Sequence, residues 1–376
     1  MRIGIDGRPF QAALAGTGRY VTELCCVLDR CLPQADFFVY SNRSTTLPVS
    51  NDRWHLVGDS SPFYSRLPSS IWYLERVGYL AKKNSIDVFW GGANFLPRGM
   101  DSCGRVLTVL DLVPELYPQT MGLKHRLAYK VYFSQSLRQA DKLVTISQGS
   151  KSRLERVFGV VADVVVFPGV SKRFRPPTEQ EMNRVRRRYE LQDPFFLAVA
   201  TLEPRKNLEA LLTALIQIKI SGRVNIPALA IVGQVGWKAG ALLKLVEEAI
   251  AVGIKIHQTG YVPDEDLPAL YGASSAFIFP SIYEGFGMPV LEALKCGAYV
   301  LASDVPEIRE AGGGYATYFE PSVEGIKQTL LQFLQSKAYL HPESRLDHER
   351  ITRLIDHGST WEEEGRKLAT VIKSLT

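Results

Sequence analysis

Short apolar runs alternate with amphipathic stretches along the whole chain. The runs at 2–6 and 106–110 have the length and apolar character of strands buried on both faces. Between such runs, apolar residues recur every three or four positions, which is typical of helices. The first half is predicted to contain strands at 2–6, 36–41, 87–90, 106–110, 142–147 and 164–166, and helices at 22–32, at 123–140 and from 150 onward. Strands separated by helices indicate βαβ units and a parallel sheet.

A polar segment at 168–193, which contains Pro176 and Pro177, interrupts this alternation. The second half is then predicted to contain strands at 195–200, 228–232, 256–258, 276–279 and 299–302, and helices at 207–218, 238–251, 264–271, 289–296, 323–335 and 360–374. We therefore predict an α/β protein with two Rossmann-like domains, at 1–175 and 176–358, that face a cleft. Residues 359–376 are predicted to form a terminal helix that packs back on the first domain.

The composition narrows the function classes. With 46% hydrophobic and 22% charged residues, the 376-residue chain is an ordinary globular protein. A net charge of +5 is too weak and dispersed for a nucleic-acid binder. Five cysteines without a Cys-x-x-Cys pair favour a reducing compartment. With no leader and no apolar run of about 18 residues, we expect a cytoplasmic protein. Peripheral contact with the inner face of a membrane remains an alternative, and the sequence does not indicate the oligomeric state.

The most informative segment lies at 280–294, between a predicted strand and a predicted helix. Gly285 and Gly287 let the backbone approach a ligand, and N–H groups at a helix start attract anions. Glu284 precedes the helix, and Glu292 lies about one turn inside it, where its side chain can reach back. Two carboxylates at the rim of a phosphate site suit ribose or sugar hydroxyls. A capped helix with solvated acids is the simpler alternative.

A second candidate, Glu-Pro-Arg-Lys-Asn at 203–207, also lies between a strand and a helix. Arg205 and Lys206 at a helix start oppose the helix dipole, and a bound diphosphate would relieve this conflict. An exposed basic turn is the alternative. Gly16 and Gly18 form only a fragment of a dinucleotide fingerprint and are predicted to lie in a loop ahead of the helix at 22–32.

Metal sites are not favoured. Asp264 and Asp266 form an Asp-x-Asp pair, but they stand at a predicted helix start, where acids are expected as dipole partners. No pair of the six histidines has convincing ligand spacing, and the Gly-x-Ser-x-Gly and Walker A patterns are absent. The basic, aromatic helix at 123–140 suits an anionic lipid surface or, more simply, the protein core. The arginines at 186–188 are expected on a solvated helix face.

Several segments together resemble glycosyltransferase family 4, whose members have the two-domain GT-B fold. The most specific is the motif at 284–292, with its two glutamates eight residues apart, paired with 203–207. Softer matches lie at 5–9, 16–20, 94–97, 111–114 and 145–148. The resemblance is to bacterial enzymes of polysaccharide biosynthesis and covers essentially the whole chain.

The resemblance implies transfer of a hexose, with retention at the anomeric carbon, from a nucleotide-diphosphate sugar to a saccharide or lipid-linked saccharide. UDP-hexoses such as UDP-glucose and GDP-mannose both fit as donors, with a slight preference for UDP. No metal or other cofactor is implied. Arg205 and Lys206 would hold the diphosphate and stabilise the leaving group. Glu284 would bind the transferred sugar, Glu292 the ribose, and Asp111 would orient an acceptor hydroxyl.

Further donor positions follow from the same motifs. They are Gly16, Gly18, Glu203, Tyr261, Val262, Gly285, Phe286, Gly287, Met288, Val290 and Leu291. Tyr261 and Val262 would frame the base, and Gly16 and Gly18 would approach the diphosphate from the first domain. Leu110 stands where family members often carry a histidine, so the family's histidine contact is not predicted here. An epimerase of the GT-B type and a non-catalytic nucleotide-sugar-binding subunit remain as alternatives.

Overall fold

A computed structural model of the chain describes residues 1–11, 16–118, 123–192, 194–222, 224–236, 239–337 and 360–376, without the side chains of 123–125, 127 and 128. The chain divides into two compact units. Unit 1 comprises Met1–Gly169 together with Ser359–Thr376, and unit 2 comprises Val170–Gly358. Each unit contains its own parallel sheet, so the predicted α/β class is confirmed.

The sheet of unit 1 has seven parallel strands in the order β3-β2-β1-β4-β5-β6-β7. They are β1 (Arg2–Asp6), β2 (Asp36–Tyr40), β3 (Trp54–Val57), β4 (Val88–Gly91), β5 (Gly104–Val109), β6 (Lys142–Thr145) and β7 (Val164–Val165). The helices are α1 (Gly16–Cys31), α2 (Ser69–Lys83), α3 (Val113–Leu116), α4 (Leu123–Gln139), α5 (Gln148–Phe158) and, at the end of the chain, α13 (Trp361–Lys373). The chain runs outward from β1 to β3 and returns to β4 beside β1. This reversal makes a topological switch point between β1 and β4, where α/β sheets bind ligands.

Helix α13 is an integral part of unit 1. The rings of Tyr20 in α1 and Trp361 in α13 meet edge to face at 5.9 Å. Gly365 lies against Val27 so closely that a β-carbon would collide with it. Buried Glu364 accepts a hydrogen bond of 2.8 Å from the backbone N–H of Phe167. The terminal helix therefore completes the core beside α1.

The sheet of unit 2 has six parallel strands in the order β10-β9-β8-β11-β12-β13. They are β8 (Phe195–Val199), β9 (Ala228–Val232), β10 (Ile256–Gly260), β11 (Ala276–Phe279), β12 (Val300–Ser303) and β13 (Thr317–Phe319). The helices are α6 (Glu179–Arg188), α7 (Leu208–Ser221), α8 (Gly240–Ala251), α9 (Leu267–Ala273), α10 (Met288–Lys295), α11 (Pro306–Gly312) and α12 (Val323–Gln335). The switch point of this sheet lies between β8 and β11, because the chain builds outward to β10 before it returns to β11.

The hydrophobic pattern did not predict every element. It gave no element for β3, α2, α3, α11 or β13, and for α6 the sequence indicated only a helix face at 186–188. The loop predicted for Gly16 and Gly18 is wrong, because both lie in the first turn of α1. Glycine is a poor helix former, but packing of the apolar face of α1 outweighs that cost, and Gly18 is buried. Across the residues described, no helix combines the length and apolar character needed to cross a bilayer.

Candidate active site

Four charged side chains meet at the switch point of unit 2. Glu203, Arg205 and Lys206 follow β8, and Glu284 follows β11, the strand that pairs with β8. We call these four residues the charge quartet. They come together because the carboxyl ends of adjacent parallel strands lie at the same edge of a sheet.

The local backbone holds the two cations ahead of helix α7. Pro204 begins a 3-10 turn, Pro204–Lys206, and suits a first helical position because its ring fixes φ. Asn207 then adopts a left-handed conformation with φ 55°, and its side chain donates to the carbonyl of Pro321 at 3.1 Å. Arg205 and Lys206 therefore precede α7 rather than lying in its first turn. The backbone carbonyl of Arg205 accepts a bond of 3.0 Å from the N–H of Ile282, which ties the two loops together.

Direct ion pairs connect the quartet. The carboxylate of Glu284 accepts from Nη1 of Arg205 at 2.7 Å and from Nζ of Lys206 at 2.6 Å. Nη2 of Arg205 donates to Glu203 at 2.6 Å, and its Nη1 also donates to the carbonyl of Tyr283 at 2.9 Å. The four side chains are only 12–18% exposed. Two cations and two anions thus form a largely buried, electrically balanced network.

This network changes one expectation drawn from the sequence. A bound diphosphate was expected to relieve the conflict between the adjacent cations and the helix dipole, yet here Glu203 and Glu284 balance Arg205 and Lys206. An exposed basic turn is also wrong, since the exposed fraction of Lys206 is 13%. A diphosphate that binds these cations has to compete with two carboxylates of the protein.

The charges of the quartet shift its ionisation. Burial alone would raise the pKa of Glu284, but Lys206 and Arg205 outweigh it and lower that pKa to about 2. Burial lowers the pKa of Lys206, with repulsion from Arg205 adding to the shift and Glu284 opposing it. The carboxylate is therefore ionised at neutral pH. A further anion beside Lys206 would favour its charged form.

A glycine-rich turn connects Glu284 to helix α10. Gly287, with φ 112°, caps α10 in a conformation that favours glycine, and its carbonyl accepts from the N–H of Val290 at 2.9 Å. Glu292 lies one turn inside α10 and is 4% exposed. The hydroxyl of Tyr271 approaches its carboxylate at 3.4 Å. Glu292 thus has different neighbours from the quartet. Its contact with Tyr271 could not be predicted from the sequence, because it depends on the packing of α9 against α10.

Comparison with known proteins bears on this site. The family model described as "Glycosyl transferases group 1" matches residues 179–349. The O-antigen chain mannosyltransferase B of Escherichia coli is 35% identical over 359 residues, which cover 90% of this chain and 92% of that protein. This chain belongs to the group 1 glycosyl transferases.

Two further similarities refine the picture of this glycosyltransferase. A GDP-mannose-dependent α-(1-6)-phosphatidylinositol monomannoside mannosyltransferase of Mycobacterium tuberculosis is 33% identical over 174 residues, 44% of each chain. The structure of a sucrose-phosphate synthase from Thermosynechococcus elongatus superposes with a TM-score of 0.74 at 19% identity, over 100% of this chain and 98% of that one. The predicted GT-B class of fold, with two Rossmann-like domains, is thereby confirmed.

The other predicted donor positions of the glycosyltransferase divide by burial. Tyr261, just after β10, is 57% exposed, so its ring is accessible to a ligand. Val262 is 4% exposed, so only its backbone could frame a base. Around the glycine-rich turn, the side chains of three predicted positions are buried: Phe286, Val290 and Leu291. Met288 and Pro289 form the first turn of α10.

The predicted acceptor residue lies in unit 1 of the glycosyltransferase. Asp111 follows β5 and is half-buried, and its Oδ1 accepts from the N–H of Val113 at 3.3 Å. Leu110, at the family's histidine position, is 7% exposed and adds an apolar side chain to the core. Gly16 is exposed and Gly18 is buried at the start of α1.

The Asp-x-Asp pair of the glycosyltransferase has a structural role. Fully buried Asp266 accepts from Arg184 and Arg188 at 2.8 Å each and from the hydroxyl of Tyr189 at 2.7 Å, which joins α6 to α9. Asp264 pairs with Arg173 at 3.5 Å. The expected solvated face at 186–188 is thus wrong for Arg186, whose side chain is 16% exposed, while the exposed Arg188 pairs with a buried carboxylate. Within the part of the chain that the structure describes, no cluster of His, Cys, Asp and Glu could hold a metal ion.

Proposed function

We propose that this protein is a retaining glycosyltransferase of family 4 that transfers mannose from GDP-mannose to a saccharide or lipid-linked saccharide during polysaccharide biosynthesis. The charge quartet at the switch point of unit 2 carries this proposal. It presents two cations for a diphosphate and, in Glu284, a carboxylate suited to sugar hydroxyls. All five cysteines are free, which supports a location in the reducing cytoplasm.

The choice of mannose and of GDP rests on the relatives. A relative that covers 90% of the chain is an O-antigen chain mannosyltransferase, and the mycobacterial relative is named as GDP-mannose-dependent. Base recognition leaves little trace in side-chain identity, so the sequence alone gave only a slight preference for UDP. The names of these relatives outweigh that preference.

The proposed chemistry needs no nucleophile from the protein. The bond between the anomeric carbon and the phosphate oxygen breaks, and a bond from that carbon to the acceptor oxygen forms on the same face. The acceptor proton passes to the departing phosphate. Arg205 and Lys206 leave Glu284 to take the diphosphate and stabilise the negative charge that develops on it.

The released carboxylate then has a role of its own. Glu284 would accept hydrogen bonds from hydroxyls of the transferred sugar, and buried Glu292 from the ribose. Glu203 stays paired with Arg205 and orients its guanidinium. We assign acceptor binding to unit 1, where Asp111 would orient the attacking hydroxyl.

A screen of nucleotide diphosphates tests the donor. A ligand that binds only the native state stabilises it by RT ln(1 + [L]/Kd), about 2.7 kcal/mol at one hundred times Kd. We expect GDP to raise the melting temperature more than UDP, TDP or ADP at equal concentration, as measured by thermal shift. A larger shift with UDP would contradict the choice of GDP-mannose and leave the transferase assignment standing.

A chelator tests the absence of metal from the mechanism. Because Arg205 and Lys206 supply the positive charge at the diphosphate, EDTA is expected to leave the rate of mannose transfer within about twofold of its untreated value. Transfer is measured as GDP release that depends on acceptor. Strong inhibition by EDTA with rescue by Mn²⁺ would show that a divalent cation takes part.

A further inference from the structure

The switch point of unit 1 also holds a positioned cation. Arg8 comes directly after β1, and the loop that contains Asn94 and Phe95 comes directly after β4. In unit 2 the same topological position holds the charge quartet. Arg8 lies in the family-like segment 5–9, but no role for it could be predicted because its partners Tyr73 and Phe95 are distant in the sequence.

A buried carboxylate fixes the guanidinium of Arg8. Asp6 is fully buried and accepts from Nε at 3.0 Å and from Nη2 at 2.7 Å. It also accepts from the backbone N–H of Arg8 at 3.0 Å. Asp6 therefore occupies one edge of the guanidinium and neutralises its charge, which leaves the Nη1 edge for other acceptors. The Arg8 side chain retains 16% exposure.

Two aromatic side chains complete the cradle. The guanidinium carbon of Arg8 lies 3.8 Å from the ring centroid of Tyr73 and 5.6 Å from that of Phe95. The hydroxyl of Tyr73 donates to the carbonyl of Phe95 at 2.8 Å, so helix α2 holds the loop after β4. Arg8 is thus a rigid hydrogen-bond donor packed on the buried ring of Tyr73, with the partly exposed ring of Phe95 beside it.

The same loop leads to the predicted acceptor residue. Asn94, with φ 65°, accepts from the N–H of Leu110 at 2.7 Å, which fixes the backbone beside Asp111. The ring of Phe95 meets that of Tyr129 at 5.3 Å, and the hydroxyl of Tyr129 approaches the carbonyl of Asp111 at 3.5 Å. Contacts through this loop therefore connect Arg8 with Asp111.

We propose that Arg8 binds the acceptor saccharide, donating from Nη1 to hydroxyl oxygens of its terminal sugar. Asp6 is fully buried and bonds both the guanidinium and the backbone N–H of Arg8, so Arg8 keeps this partner and offers no uncompensated charge to a phosphate. The ring of Tyr73 is fully buried against the guanidinium, so the partly exposed ring of Phe95 is the aromatic surface for the apolar face of a sugar, whose hydroxyls Arg8 would bind. The inference rests on the proposed function in so far as an acceptor saccharide is its ligand.

Unit 1 offers a matched control for a test of Arg8. In Arg76, Nε donates at 2.9 Å to buried Asp59, and the guanidinium carbon lies 4.5 Å from the ring centroid of Tyr64 and 4.3 Å from that of Tyr79. Its side chain is 20% exposed, close to the 16% of Arg8. Arg76 lies within α2 and not at a strand end. Arg8→Lys and Arg76→Lys therefore make equivalent changes, one at the switch point and one away from it.

The experiment measures binding of methyl α-mannoside by saturation-transfer NMR and binding of GDP by calorimetry. We expect Arg8→Lys to weaken mannoside binding at least about tenfold, because lysine loses the planar fork. Its affinity for GDP should stay unchanged, and Arg76→Lys should bind both ligands as wild type does. Unchanged mannoside binding in Arg8→Lys, or loss of GDP binding, would overturn the inference. So would a wild-type protein that binds GDP but no mannoside.

A second variant and a transfer assay complete the test of Arg8. If Arg8→Lys does not fold, the double variant Asp6→Asn/Arg8→Gln replaces it, because this variant keeps a neutral hydrogen-bonded pair. Mannoside binding by the double variant would overturn the inference. If wild type binds mannoside through Arg8 but transfers no mannose from GDP-mannose, the proposed function fails while this inference stands.

Discussion

Replacing Lys206 with methionine is expected to lower mannose transfer about a hundred- to a thousandfold. The substitution removes a fixed cation from the charge that develops on the leaving diphosphate, and removal of one such donor usually costs that much. GDP affinity should fall as well, because the ammonium also contacts the ground-state diphosphate. The rate is measured as acceptor-dependent GDP release at saturating donor. Lys327→Met is the matched control in unit 2, since Lys327 pairs with Glu324 on its own helix and with Gln217 of α7, away from the quartet.

The Lys206→Met protein is expected to remain folded. Burial already lowers the pKa of Lys206, so the ammonium is costly to keep charged, and methionine fills similar volume. Glu284 keeps Arg205 as a partner at 2.7 Å. Transfer within about twofold of wild type, in a folded variant, would show that Lys206 does not hold the diphosphate.

Replacing Glu284 with glutamine is expected to move transfer and nucleotide binding in opposite directions. Transfer should fall about a hundredfold, because the amide cannot accept strong charge-assisted bonds from sugar hydroxyls. GDP affinity should rise about fivefold, because a carboxylate no longer competes for Arg205 and Lys206, and 1 kcal/mol corresponds to that factor. Calorimetry with GDP and kinetics with GDP-mannose measure the two effects. A parallel loss of both would mean that Glu284 positions the cations instead of competing for them.

The same variant tests the ionisation of the quartet. The pKa of Glu284 is lowered from 4.5 to about 2, so its ionised form stabilises the fold above pH 4.5 and loses that contribution as the pH falls toward 2. Wild type should therefore exceed Glu284→Gln in free energy of unfolding by about 2 kcal/mol at pH 7, with the difference shrinking below pH 4.5. Urea unfolding at pH 7 and pH 3.5 measures it, and a pH-independent difference would contradict the ion-pair account.

The segments of the candidate site could be located from the sequence because both follow strands of a parallel sheet. The ion-pair network within the site could not be predicted in this way. Arg205 and Glu284 are 79 positions apart, and their contact depends on β8 and β11 being neighbours. Likewise, Asp6 and Arg8 are close in sequence, but Tyr73 and Phe95 reach them only through the packing of α2 and the loop after β4.

The missed helix α2 shows where hydrophobic pattern fails. Its apolar residues at 71–74 are consecutive, which hides the helical period, and Gly78 weakens the helical propensity of its centre. The structure explains the glycine, since a β-carbon there would collide with the carbonyl of Arg98. Long-range packing therefore requires a glycine in α2 that local propensity disfavours. A local hydrophobic pattern does not show such packing.

The place of α13 within unit 1 has a consequence for how the chain is made. The roughly 190 residues of unit 2 leave the ribosome before α13 does, which takes about 10–40 s at 5–20 residues per second. During that interval the nascent first unit lacks Trp361, Leu368 and Ile372, so Tyr20 and Val27 in α1 stay uncovered. The domain begun first therefore completes its core only after the whole of unit 2 has been made.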